Sequence, residues 1–141
     1  MVTVFDVEPN ALIEKVAQKL KGMKINKPAF VGIVKSGAHA ERPPEQTDFW
    51  YIRCASLLRQ AYVQNNIGIN RLRRHYGGRK NRGVKPQRHY PAGGSIIRKA
   101  MQELEKAGLL KKGKTGRTLS AEGRKLLDIT AREIADERKA T

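Results

Sequence analysis

Between Phe49 and Gln102 there is no aspartate and no glutamate, an acid-free run of 54 residues in a chain of 141 that carries 13 acids elsewhere. The gap excludes a carboxylate pair from the middle of the chain, so general acid–base chemistry would have to recruit its groups from the flanks. Cysteine is all but missing. Cys54 stands alone, so no internal disulfide can form, and its place on an apolar helical face suits a buried free thiol rather than a nucleophile. His39, His75 and His89 are scattered, without cysteine partners or HxxxH spacing, so no metal and no other cofactor is expected. Each histidine reads as a phosphate neighbour or a solvated side chain. Long apolar runs are absent too: Phe30 to Val34 is among the longest, far short of the roughly 18 residues that mark a bilayer-spanning helix. The start, Met1 to Asp6, lacks a basic segment followed by an apolar one, so no signal peptide is expected and an intracellular location is.

Positive charge takes the place of the missing acids. Lysine and arginine number 29, giving a net charge of +16 and a pI near 10.4, the electrostatic footprint of a nucleic-acid binder. Twelve of these cations lie in the acid-free run, eight of them between Arg71 and Tyr90: Arg71, Arg73, Arg74, Arg79, Lys80, Arg82, Lys85 and Arg88. A polyanion is the natural partner for such a surface. A membrane partner is not expected, because the required basic amphipathic helix with large exposed apolar residues is missing. The length suits one domain, residues 1–141, with a real core and basic loops at 35–46 and 77–94.

The most apolar segment opens the acid-free run. Over Asp48 to Val63, at about 100° per residue, Trp50, Tyr51, Cys54, Leu57, Leu58, Ala61 and Tyr62 share one broad face, and Arg53, Ser56, Arg59 and Gln60 the opposite arc. Thr47 is the expected N-cap, with Asp48 in the first turn. Phe49 and Ile52 stray into the polar arc, which predicts a central helix buried on most sides. Its narrow open strip, Arg53 and Arg59, faces solvent or the anionic partner.

Upstream, Leu12, Ile13, Val16, Ala17 and Leu20 predict a helix from Pro9 or Asn10 to Gly22. Phe30 to Val34 reads as a short helix or turn on the core, followed by an extended arm whose Lys35, His39 and Arg42 face phosphate or solvent. Downstream come a turn at Gln64 to Asn66, a very short strand at Ile67 to Ile69, a short helix from Asn70 to Tyr76, and a long loop from Gly77 to Gly94. The spacing then predicts a helix from Ser95 to Ala107, with Ile96, Ile97, Ala100, Met101, Leu104 and Ala107 inward and Gly108 closing it. Leu109 to Lys112 and Arg117 to Leu119 flank the tip Gly113 to Gly116 as a small hairpin. Ser120 caps a last helix from Ala121 to about Arg138, with Leu126, Leu127, Ala131, Ile134 and Ala135 inward, an Asp128–Arg132 pair at i,i+4, and a frayed end at Lys139 to Thr141. Helix, short strand, helix, helix, hairpin, helix is the order of a winged-helix domain. The expected fold is mostly α and winged-helix-like, about five helices around a central amphipathic one with a small β-hairpin.

The stretch after the short helix is suited to phosphate. Arg79-Lys80-Asn81-Arg82-Gly83 joins cations to a glycine, so guanidinium and backbone groups can approach phosphates closely; the alternative is a disordered basic run. Tyr76 and Tyr90 bracket the loop, either as stacking platforms for unpaired bases or as pins to the core. Gly93-Gly94-Ser95 opens a helix, with Arg98 and Lys99 expected in its first turn, and so forms an anion site. Cations there oppose the helix dipole, which makes sense if phosphates neutralise them. A helix-turn-helix reader joins its helices by a turn of about three or four residues, whereas the 18 residues Gly77 to Gly94 intervene here. An RNA surface read by shape and phosphate fits such an insertion better than a DNA groove. The rival is a winged-helix DNA-binding transcriptional regulator using the helix from Ser95, which would dimerise on duplex sites.

Asp48-Phe49-Trp50-Tyr51-Ile52-Arg53-Cys54-Ala55-Ser56, Tyr76-Gly77-Gly78-Arg79-Lys80-Asn81-Arg82-Gly83 and Gly93-Gly94-Ser95-Ile96-Ile97-Arg98-Lys99-Ala100 strongly resemble the ribosomal protein S nineteen-e family of archaea and eukaryotes. The similarity covers nearly the whole chain, from Val4-Phe5-Asp6-Val7 to Leu119-Ser120-Ala121-Glu122-Gly123. Many relatives carry Thr then Pro where this chain has Ser120 and Ala121, a departure that should alter only the helix start. The Arg-Lys-Asn-Arg-Gly form looks archaeal. The resemblance implies a non-enzymatic component of the small-subunit head in the cytoplasmic ribosome, a winged-helix-like protein that binds ribosomal RNA beside neighbouring ribosomal proteins and supports subunit maturation. Carried over by position, its RNA-binding residues are Arg53, Arg59, Arg79, Lys80, Arg82, Arg98 and Lys99. Trp50 and Tyr51 match an aromatic cluster that is structural. To these the charge pattern adds Arg71, Arg73, Arg74, Lys85, Arg88 and Ser95. A monomer is expected off the ribosome.

Overall fold

The structure, a computed structural model, describes residues 2–23, 25–31 and 33–140. In chain order its elements are a 3-10 turn (Val4–Asp6), α1 (Pro9–Gly22), α2 (Phe49–Gln64), β1 (Asn66–Ile67), α3 (Ile69–Tyr76), β2 (Gly78–Arg82), β3 (Lys85–Tyr90), α4 (Gly94–Lys106), β4 (Leu110–Gly113), β5 (Gly116–Leu119) and α5 (Ala121–Ala140).

α2 is central because so little of its surface is polar. Phe49, Trp50, Cys54, Ala55, Leu57, Leu58, Ala61 and Tyr62 are all buried, and α1, α4, α5, β1 and β5 pack around them. Gln60, expected in the polar arc, is buried as well. Its amide is satisfied by His75 Nε2 at 3.2 Å and Gln64 Nε2 at 2.8 Å, which removes most of the cost of burying it. The start of α2 differs from expectation. Asp48, not Thr47, is the N-cap residue and makes no capping bond, because Lys21 Nζ holds its carboxylate at 3.0 Å and ties the end of α1 to the start of α2. Burial pushes the Cys54 thiol up to about 12, so it stays protonated and inert.

α1 begins with proline at its first position, where the missing N–H is one that a helix leaves unpaired anyway. It buries Leu12, Val16, Ala17 and Leu20 and lies beside α5. Lys15 pairs with Glu133 and Glu137, and Lys19 with Glu133 at 3.1 Å, along that seam. Ser120 caps α5 as expected: its Oγ accepts from Gly123 N at 3.1 Å and donates to Gly108 O at 2.6 Å. α5 continues through Ala140 instead of fraying at Lys139; Thr141 lies outside the described residues. Asp128, expected to pair with Arg132, accepts the Tyr62 hydroxyl at 2.9 Å, because the packed side of α5 brings that donor within reach. Of the expected segment Phe30 to Val34, residues 30, 31, 33 and 34 lie in turns and bends, and among them Val31 is buried while Ile33 and Val34 face solvent; Gly32 lies outside the described residues.

β1, β5 and β4 form an antiparallel sheet in that order. α2, β1, α3, α4 and the β4–β5 hairpin thus reproduce the winged-helix order, and the mostly α fold with five α-helices among the described residues is as expected. One segment departs from it: the expected loop after α3 is β2 and β3, a separate two-stranded ribbon.

Candidate nucleic-acid interface

The ribbon pairs Gly78 with Tyr90, Arg79 with His89, Lys80 with Arg88 and Arg82 with Lys85, with a bulge between Lys80 and Arg82. None of its residues is buried, so the apolar alternation that marks a strand is absent and the sequence reads as a loop. An isolated two-stranded ribbon is marginal in water, and this one is held by the arm before α2. Lys80 Nζ donates to Ala38 O at 2.6 Å, and Gly37 bridges Ala92. The His39 ring lies against Gly78. Burial, reinforced by His89, Arg53 and Lys80, lowers the His39 pKa, so at neutral pH it is an uncharged wedge rather than a phosphate contact. Lys35 and Arg42 are exposed.

The base of the ribbon is locked to α3. Ala92 N donates to Arg73 O, and Arg73 Nε to Ala92 O, both at 2.8 Å. Arg73 is therefore a clamp as well as a cation. Gly77 is pressed so close to the returning strand that a Cβ would lie 2.3 Å from Tyr90 O and 2.8 Å from Pro91 Cα. Gly77→Ala should pry the base open at a cost of about 1–3 kcal/mol. The expected readout is faster amide hydrogen exchange in β2 and β3 while α1 and α5 keep their protection; unchanged exchange in the ribbon would show that this approach is not tight.

Arg53 is half-buried rather than set on an open strip. Its guanidinium lies 4.0 Å from the Tyr76 ring centroid and 5.1 Å from that of Phe49. Tyr76 Oη and Ser56 Oγ are hydrogen-bonded at 2.6 Å. Tyr76 is thus a pin between α3 and α2, the structural one of its two possible roles. Burial lowers the Arg53 pKa against the opposing effect of Tyr76, and a guanidinium remains charged at physiological pH. Arg59 is also half-buried, and its Nε has no hydrogen-bond partner among the described residues. Tyr90 has Lys80 Nζ 5.8 Å and the Arg88 guanidinium 5.4 Å from its ring centroid.

α4 starts at Gly94 with Gly93 as its N-cap and no side-chain cap. Ser95 is exposed inside the first turn and does not cap, and Arg98 and Lys99 fall in the second turn rather than the first. The dipole opposes them correspondingly less. Ser95, Gly94 and Arg98 line an open cavity of about 380 Å³ with Ile69, Asn70 and Arg73. The start of a helix and two arginines thus border one cavity, a combination that suits a phosphate. Arg71 and Arg74 are exposed on α3, as are Arg79, Lys85 and Arg88 on the ribbon. Arg82 is half-buried and donates from Nη1 to Pro86 O at 3.3 Å.

The acids that form ion pairs form them elsewhere. Besides the pairs of Lys15, Lys19 and Lys21, ion pairs join Lys106 to Glu103, Arg117 to Glu105 and Arg138 to Glu8. None of the twelve cations from Arg53 to Lys99 has a carboxylate partner among the described residues. Nor do those residues contain a group of three His, Cys, Asp or Glu able to hold a metal.

The model of the family described as Ribosomal protein S19e matches residues 3–137. The chain belongs to that family. A small ribosomal subunit protein eS19 of Aeropyrum pernix is 49% identical over 142 residues, covering 97% of this chain and 92% of its own. That of Thermoplasma volcanium is 44% identical over 137 residues, with 95% and 90% covered. The eS19A protein of Schizosaccharomyces pombe is 38% identical over 138 residues, with 96% of each chain covered. As an S19e protein the chain is a ribosomal protein of the cytoplasm and not an enzyme. Sequence reasoning missed two parts of this S19e surface. Asn70 in the cavity had no signal beyond its place at the start of the basic helix, and the clamp by Arg73 depends on the return of the chain through Ala92 after a ribbon that no periodicity revealed.

Proposed function

We propose that this S19e chain is a structural constituent of the small ribosomal subunit that binds ribosomal RNA and supports subunit assembly and maturation. It does so through one basic surface, formed by the ribbon (Arg79, Lys80, Arg82, Lys85, Arg88), α3 (Arg71, Arg73, Arg74) and the start of α4 (Ser95, Arg98, Lys99), with Arg53 and Arg59 behind it. The observation that carries this reading is that twelve cations share an acid-free run and none has a carboxylate partner among the described residues. RNA phosphates supply the missing counter-charge, and their binding releases counterions. Recognition is by shape and phosphate rather than base sequence. Residues 1–141 act as one domain, monomeric off the ribosome and set beside proteins of the small-subunit head.

The test is sucrose-gradient sedimentation of native lysate at moderate and high salt, following this protein with an antibody. It should travel with the small subunit and resist a salt rise that strips loosely bound basic proteins. Recovery near the top of the gradient, or with DNA, would turn the reading toward a winged-helix DNA regulator.

A further inference from the structure

The β4–β5 hairpin carries a second concentration of positive charge, Lys111, Lys112, Lys114 and Arg117 with no acid among them. Arg117 is committed to the fold, its Nε 3.1 Å from Glu105 Oε2. The three lysines are exposed and have no carboxylate partner among the described residues. We propose that this hairpin tip is a second ribosomal-RNA phosphate contact, made by Lys111, Lys112 and Lys114; the inference rests on the reading of the chain as an RNA binder.

Two features of the tip favour a contact over a solvated loop. Its geometry is fixed: Gly113 pairs with Gly116 around Lys114-Thr115, and Asn66 Nδ2 donates to Thr115 O at 3.2 Å. Gly116 has φ +129°, and a Cβ there would lie 2.5 Å from Ile67 O, so the turn sits directly against β1. Charges held on a rigid tip lose little freedom when a ligand arrives. The second feature is position. Asn66 and β1 lead straight into α3, whose far end gives rise to the ribbon. α3 has 8 residues, about 12 Å of helix, and carries the exposed Arg71 and Arg74 between tip and ribbon. The tip therefore lies beside the start of α3, at the other end of that helix from the ribbon, and a partner reaching both would be folded RNA rather than a small anion.

β4 is also an edge strand of its sheet, and lysines on an edge deter pairing with other chains. That role accounts for Lys111 and Lys112 but not for Lys114, which lies in the turn. Charge reversal separates the two explanations, since glutamate guards an edge as lysine does but repels phosphate. Lys111→Glu/Lys112→Glu/Lys114→Glu and its Gln counterpart would be titrated with protein-free small-subunit ribosomal RNA over a range of salt, with thermal melts alongside. The Glu variant should melt like the wild type yet bind about tenfold to a hundredfold more weakly, and in both variants the slope of log K against log salt should flatten by about 0.7–0.9 per lost contact. If the Glu variant aggregates, the slope of the Gln variant decides. Unchanged affinity and slope, alongside weakened binding by Arg79→Glu/Arg82→Glu, overturns the tip contact and leaves the ribbon reading in place. A wild-type chain with no affinity for that RNA overturns both.

Discussion

Trp50→Ala should destabilise the protein by roughly 3–5 kcal/mol, lowering its melting temperature by about 10–20 °C. Trp50 is 0% exposed and is among the largest fully buried side chains of the described residues. It sits in the first turn of α2, where Lys21 and Asp48 tie that helix to α1, so a cavity there undermines the contact between the two. Its indole Nε1 has no hydrogen-bond partner among the described residues. The side chain therefore stabilises through burial alone, and Trp50→Phe, which keeps most of that apolar area, should cost far less. Circular-dichroism melts of both variants check this. Below its own melting point the Ala variant should bind RNA nearly as well as the wild type, because a core residue acts on binding only through the folded fraction. A nearly unchanged Ala melt would place the indole on the surface, and α2 could then not be the centre of the fold.

Arg79→Glu/Arg82→Glu should have the opposite profile. Neither side chain is buried, neither has a carboxylate partner among the described residues, and the ribbon contributes nothing buried to the core. Melting should therefore shift by no more than about 0.5 kcal/mol. Binding to small-subunit ribosomal RNA should fall by about a hundredfold, since two phosphate attractions become repulsions, and the salt dependence should flatten with it. In cells the variant should be depleted from small subunits relative to the free pool. Normal incorporation would remove the ribbon from the interface. Among the described residues the hydrogen bond that these two side chains make is the one from Arg82 to Pro86 O at 3.3 Å, and an exposed bond of that length to a neutral acceptor falls at the low end of the usual range, about 0.5 kcal/mol, within that shift.

Much of this protein was legible in the chain itself, because helices that bury one face must write it as a 3.6-residue period. The helices α1, α2, α4 and α5 follow their apolar spacing to within a residue or two. The anionic character of the partner follows from composition alone, since charge counts do not depend on how the chain folds. The motif around Tyr76 to Gly83 likewise pointed to the S19e family before any coordinates. Tertiary structure decided whatever depends on residues far apart in sequence. It alone made Gly78 to Tyr90 a ribbon, since strands that bury neither face need no alternation and are fixed here by Ala38, His39 and Gly77. It turned Arg53 and Tyr76 inward, took Asp48 from its helix cap for Lys21, and left twelve cations without carboxylate partners among the described residues. Local sequence records which groups a segment offers, but whether a charge is neutralised within the protein or left for an outside partner depends on which neighbours the fold brings within a few ångströms.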